Sequence, residues 1–223
     1  MAKDKIKLVV KTPSKTLVNA ITSASAKKLN SALAKASGPM SEEIKQTVRD
    51  ALMVSPTVES IRGGRLRYEL GFPEGTEDIT IDSIIDAISQ SVHVRFKGVK
   101  SHASKISTDM QIIIQGEGVK SLLGLPEASI ITKKKTRLYW LGWLLISGDS
   151  IIVDQYRVET LSFDPDKSRS GDAVMRFGGV GFKISPEHSG TPEDNFITRA
   201  LRTRRASQKI TSIIIKHFKA NLK

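Results

Sequence analysis

The run Leu138-Tyr139-Trp140-Leu141-Gly142-Trp143-Leu144-Leu145-Ile146, followed at once by Ser147-Gly148-Asp149, constrains the fold more than any other stretch. It holds both tryptophans of the chain and is apolar on nearly every side. At about nine residues it is far short of the roughly 20 needed to cross a bilayer. A short helix that is apolar all round belongs inside a core. Trp140 and Trp143 are therefore read as packing anchors and not as a ligand cage. Gly148 supplies a C-terminal stop, and Ile151-Ile152-Val153 opens a strand expected to run to about Leu161.

Upstream of that plug the pattern is helical, then mixed. Val18, Ile21, Ser25, Leu29, Ala32 and Ala36 recur at three- and four-residue steps, so a helix is expected from Ser14 to Ala36, ended by Gly38-Pro39. Ser41 with Glu42 and Glu43 caps a second helix, whose buried stripe is Ile44, Val48, Ala51 and Leu52. After the Gly63-Gly64 turn, Leu66, Tyr68 and Leu70 alternate with charged residues, which predicts a half-buried strand over Arg65 to Gly71. Ile81, Ile84, Ile85 and Ile88 predict a helix over Thr80 to Gln90. Val92, Val94 and Phe96 predict a second strand, Met110 to Gln115 a third, and the basic stretch Lys97 to Lys105 between them a loop. Leu122, Leu123 and Leu125 suggest a helical turn stopped by Pro126, and Lys133-Lys134-Lys135 an exposed charged knot.

The C-terminal helix carries the fullest set of signals. Thr191-Pro192-Glu193-Asp194 offers a cap, a first-turn proline and two acids, so the helix is expected to start there. Phe196, Ala200, Thr203, Ser207, Ile210, Ile214 and Phe218 share one face, with Phe196, Ile210 and Ile214 as its packing anchors. Arg202, Arg205, Lys209 and Lys216 project from the other side, and no acidic residue follows Asp194. Together these elements predict an α+β fold. A mixed or antiparallel sheet of roughly four to six strands would be flanked by N-terminal helices and a long C-terminal helix. The expected layout is one domain over 1–223, with a helical part to residue 55, a sheet-rich core from 56 to 190 and the terminal helix from 191.

Charge narrows the function. The formal net charge is +12, which suits a neighbour that is nucleic acid, an acidic protein or a phosphate-rich surface. The basic N-terminal third and tail contrast with Glu42 to Asp86, which is acidic on balance. The absence of cysteine excludes disulfides, thiol nucleophiles and thiolate-held metals. Lys7 and Lys11 flank only Leu8-Val9-Val10, too short for a signal-peptide core, so a soluble protein used inside a cell is expected. His93, His102, His188 and His217 are scattered without metal-ligand spacing. Asp164-Pro165-Asp166 lacks the glycine and closing glutamate of a calcium loop. Gly178-Gly179-Val180-Gly181 lacks the Gly-Lys-Ser/Thr ending of a phosphate loop and reads as a turn or bulge. Ser168 and Ser170 sit in no nucleophile elbow. No enzyme activity, cofactor or metal is expected. No helix-turn-helix, zinc finger or ribonucleoprotein motif accompanies the basic faces.

The second half resembles a known group. The Trp140–Trp143 run, Gly148-Asp149, Ser168-Arg169-Ser170-Gly171 with Ala173-Val174-Met175, and Ser189-Gly190-Thr191 with Asp194-Asn195-Phe196-Ile197-Thr198-Arg199-Ala200-Leu201 occur in that order. This resembles the neck, or tail-completion, proteins of tailed bacteriophages, above all those with contractile tails. The resemblance covers about Leu138 to Leu201. It implies a structural virion protein assembled in the host cytoplasm: a ring, commonly of six copies, at the head–tail junction. Its partners would be portal-side neck proteins, tail terminator, tube or sheath-side proteins, and the DNA passing through. Arg169, Arg199, Arg202, Arg205 and Lys209 are the expected subunit or DNA-phosphate contacts, and the acidic segment is expected to meet the basic tail of a neighbouring copy. The alternative is a basic, non-specific nucleic-acid-binding accessory protein.

Overall fold

A computed structural model describes residues 14–102, 105–114, 119–131, 135–160, 168, 170–171 and 173–221. The expectations for the lead-in before Ser14, for Lys133 and Lys134, for most of the Asp164–Asp172 loop and for Arg169 lie outside the described residues.

The fold is α+β, and its spine is a single 40-residue helix, α1 (Ser14–Met53). At 1.5 Å per residue it is ~60 Å long. Two helices were expected here, separated at Gly38-Pro39, but Pro39 lies inside one continuous helix. The reason is the buried stripe: Ala36, Met40, Ile44, Val48 and Leu52 follow at four-residue steps straight through the proline. Gly38 and Pro39 themselves face solvent, so the carbonyl left without a proline N–H can be hydrated. Burying five apolar side chains at about 1 kcal/mol or more each outweighs a proline cost of about 3 kcal/mol.

Helices α2 (Pro56–Gly63), α3 (Arg65–Leu70) and α4 (Glu77–Gln90) follow. The predicted strand over Arg65 to Gly71 is therefore a helix. Leu66 and Leu70 are both buried, and the four-residue step that fits an alternating strand also fits one helical turn. Arg65 pairs with Glu69 across that turn. Gly71, at φ +68°, ends the helix, and the Phe72 N–H donates back to the Arg67 carbonyl at 3.2 Å. The segment from 56 to 90 is thus helical, and the sheet begins only after it.

Strands β1 (Val92–His102) and β2 (Lys105–Ile114) form a long antiparallel hairpin beside α1. Lys97 to Lys105, expected as a loop, is mostly paired strand: Val99 faces Thr108 and Lys100 faces Ser107. Helix α5 (Val119–Leu123) and a 3₁₀ turn (Pro126–Ala128) lead to the short pair β3 (Ile130–Ile131) and β4 (Arg137–Leu138). Helix α6 (Trp140–Leu145) then enters the core. β5 (Tyr156–Glu159) is shorter than the predicted strand from Ile151, which contributes only a bridge from Val153 to Phe182. It pairs with β6 (Val174–Phe177). Among the described residues the strands form three separate antiparallel ribbons and not one sheet. The chain ends in α7 (Phe196–Arg202) and α8 (Arg204–Asn221).

The core gathers α1 from Met40 onward, α2 to α4, α6, α7 and α8. Trp140 is fully buried at its centre, edge-on to Phe72 with ring centroids 5.1 Å apart. Its indole N–H donates to the Glu127 carbonyl at 2.8 Å, so the one polar atom of the side chain is satisfied. Trp143 is only half-buried. Among the described residues no helix is long and apolar enough to cross a membrane.

Candidate interaction surfaces

The C-terminal helices begin later than Thr191. Thr191 to Asp194 close a turn of their own, with the Asp194 N–H on the Thr191 hydroxyl at 3.1 Å. Asn195 is the true cap. Its Oδ1 accepts from the N–H groups of Ile197 and Thr198, while its own N–H donates to the Thr198 hydroxyl. That reciprocal box satisfies three donors, which one threonine ahead of a proline cannot match. The helix then breaks at Thr203, whose hydroxyl accepts from the Ala206 N–H, and α8 starts in a new direction. The buried face of α8 is accordingly Ala206, Ile210 and Ile213, with Ile214 half-buried and Ser207 exposed. Phe196 and Ile210 anchor as expected.

Four of the five expected contact residues lie in this region, and three of them work inside the chain. The Arg199 guanidinium reaches Asp194 at 3.0 Å, the Glu187 carbonyl at 2.8 Å and the Ser189 carbonyl at 3.0 Å. It holds the loop that precedes α7, and its hydrogen bonds hold the Asp194 carboxyl below the usual range. Arg202 shares Asp194 at 3.5 Å. Lys209 sits 2.8 Å from Asp50 on α1, and Lys216 sits 2.7 Å from Glu43. Both carboxyls are pulled below the usual range, Asp50 by Lys209 and then Gln46, Glu43 by Lys216 and then His217. The acidic segment and the basic tail do meet, but within one chain.

Arg205 is different: it is exposed and makes no ion pair among the described residues. It lines a cleft of about 440 Å³ between the C-terminal end of α1, the start of α2 and the α7–α8 bend. Ala51, Val54, Phe196 and Ala200 give the cleft an apolar lining, and Asp50, Arg199 and Lys209 stand at its edge. Beside it, His188 is buried, with Nδ1 3.2 Å from the Thr57 hydroxyl and Nε2 3.3 Å from Glu187. Burial pushes its pKa down. Among the described residues no group of three His, Asp or Glu side chains is placed to hold a metal ion.

Two further surfaces expose apolar side chains. On the β5–β6 ribbon, Tyr156 faces Phe177 edge-on at 5.8 Å and Val158 faces Met175, all on one side. Phe177 is 69% exposed and Val180, in the adjoining bend, 97%. A two-stranded ribbon is marginal alone. The N-terminal half of α1 with the part of the β1–β2 hairpin beyond Phe96 forms an arm that extends from the core, and Leu17, Val18 and Ile21 are exposed near its end. Sequence reasoning missed the arm because it took Lys97 to Lys105 for a loop. The signal available was the tripeptide pattern Val94, Phe96 and then Val99, which continues the inward face once Gly98 is allowed as a bulge.

Compared with known proteins, the chain matches no family model, no curated protein and no solved structure.

Proposed function

We propose that the chain is a structural subunit of the bacteriophage neck, a tail-completion, stopper or terminator protein. Copies form a ring that joins the DNA-filled head to the tail. The observation that carries this reading is the way the residues bearing the resemblance pack together. Gly190 lies against the end of α6 so closely that an added Cβ would meet the Leu144 carbonyl oxygen at 2.0 Å. The Gly148 N–H donates to the Gly190 carbonyl at 2.9 Å, and Arg199 ties the same loop to α7. The tryptophan run and the Ser189–Leu201 stretch thus serve one rigid unit, which explains why they would travel together in a sequence. Around that unit the chain exposes the apolar ribbon face and the arm tip. Such surfaces suit head-to-tail contacts, which close into rings when the rotation permits.

A nonsense allele in a phage genome encoding this chain tests the reading. The expected phenotype is DNA-filled heads and finished tails that stay apart, restored by supplying the chain in trans. Infectious particles of normal yield without the chain would contradict it. The alternative, a nucleic-acid-binding accessory protein, draws on the formal net charge of +12.

A further inference from the structure

The cations of the C-terminal helices named above mostly face carboxylates. On the arm cations far outnumber acids: Lys27, Lys28 and Lys35 of α1 and Arg95, Lys97 and Lys100 of β1 are all exposed and make no ion pair among the described residues, and Asp109 of β2 is the single acidic residue in the sequence of the arm. Neither α1 from Ser14 to Ser41 nor β1 contains an acidic residue.

The fold concentrates this charge. Asn30 accepts a hydrogen bond from the Val99 N–H at 2.8 Å, tying helix to hairpin within one turn of Lys27 and Lys28. The register of the hairpin slips between Phe96 and Val99, with Gly98 at φ +83°. A one-residue slip reverses which side chains face out. Val92, Val94 and Phe96 face the core before it; after it Val99 is half-buried and Lys100 exposed. Without the bulge Lys100 would point toward the helix. With it, Arg95, Lys97 and Lys100 share the outer face.

Like charges gathered on one arm repel one another. Glu43, Asp50, Asp82, Asp86 and Asp194 are each paired with a cation of their own chain, so none of these five offers the arm of a second copy a free counter-charge. A polyanion supplies one. Along the outer face of the hairpin Gln111 stands directly across from Arg95 and Ser107 across from Lys100, with Ile113 across from His93 nearer the core; among the described residues it presents no aromatic anchor of the kind that centres a protein interface. A two-stranded antiparallel ribbon is a shape the major groove of DNA admits.

We propose that the arm binds duplex DNA through its phosphates, with the β1–β2 ribbon toward a groove and Lys27 and Lys28 on the flanking backbone. Binding is by charge and independent of base sequence. The inference deepens the connector reading and rests on it for where the DNA is met, but its test needs only the purified chain.

Anisotropy of a fluorescein-labelled 30-bp duplex of random sequence is measured with the full chain over a range of salt. Five or six phosphate contacts give a slope of log Kobs against log salt of about −5. The variant K27E/K28E/K97E/K100E, checked for folding by circular dichroism, is expected to lose at least about 100-fold in affinity and most of that slope. A charge-matched control, K45E/K120E/K183E/K219E, is expected to retain more than half of the slope. No binding by the unmodified chain at about 50 mM salt, or equal losses in both variants, overturns the proposal. So does loss of self-association in the arm variant with DNA binding unchanged, which would make the arm a protein interface. Rings without DNA binding sink this inference and leave the connector reading standing; DNA binding by a chain dispensable for particles does the reverse.

Discussion

Lys209 on α8 lies 2.8 Å from Asp50 on α1, and seven residues on along α8 and seven back along α1 Lys216 lies 2.7 Å from Glu43. Two turns on one helix match two turns on the other, so the helices run antiparallel with one ion pair at each step. These pairs are largely exposed and set register more than they stabilise. In a double-mutant cycle of D50N and K209Q the coupling should be below about 1 kcal/mol. Ile213→Ala, which removes a buried contact of the same helix, should cost about 2–4 kcal/mol. Urea unfolding of the four proteins of the cycle and of Ile213→Ala measures both.

Arg199 and Arg202 should separate cleanly. Arg199 bonds two loop carbonyls and Asp194, and its side chain is one-third exposed, whereas Arg202 is two-thirds exposed. Arg199→Ala should destabilise by about 2–3 kcal/mol by leaving the Glu187 and Ser189 carbonyls without that donor and Asp194 with Arg202 alone. Arg202→Ala should cost less than about 1 kcal/mol. Lysine at 199 should not restore the loss, because one ammonium cannot reproduce the fork.

Gly190 has no room for a side chain. The Cβ of alanine would stand 2.0 Å from the Leu144 carbonyl oxygen and 2.6 Å from the Asn195 Cβ. Gly190→Ala must push α6 and the α7 cap apart, at a cost of more than about 3 kcal/mol. Gly38→Ala, where an added Cβ meets nothing within 4 Å, should be neutral or slightly stabilising. Thermal unfolding distinguishes them.

Acid should weaken the fold through His188. Burial lowers its folded pKa below the ordinary 6.5, so as pH falls from 6.5 the unfolded chain takes up a proton first and stability drops. The drop stops below the folded pKa. His188→Gln should flatten stability as pH falls below about 6.5, whatever it does to stability at pH 8. At lower pH, loss of the depressed carboxylates Glu43, Asp50 and Asp194 should weaken both proteins further, from about pH 4 downward.

Much of this fold is legible in the sequence where one local signal stands unopposed. The isoleucine period of α4, the alternation at the start of β1 and the all-round apolar run of α6 each have a single reading. The errors arise where two signals fit the same residues. Leu66 and Leu70 suit both a strand and one helical turn, and Gly71-Phe72 decided for the helix by closing its C-terminus. Pro39 is a breaker only if the buried stripe ends there, and it continues. Thr191 is a plausible cap until Asn195 offers a reciprocal one. The intrachain partners of Lys209 and Lys216 were hidden for a further reason. A helix face rich in cations reads as free until the carboxylates that answer it, far away in sequence at Asp50 and Glu43, are brought alongside by folding.

A cryo-electron microscopy map of the head–tail junction of particles encoding this chain tests the central claim most directly. The account predicts copies of the chain closed into a ring there, touching one another through the ribbon face that carries Phe177 and Val180, with Lys97 and Lys100 toward the DNA. A junction fully built from other proteins, with no density for this fold, would contradict it.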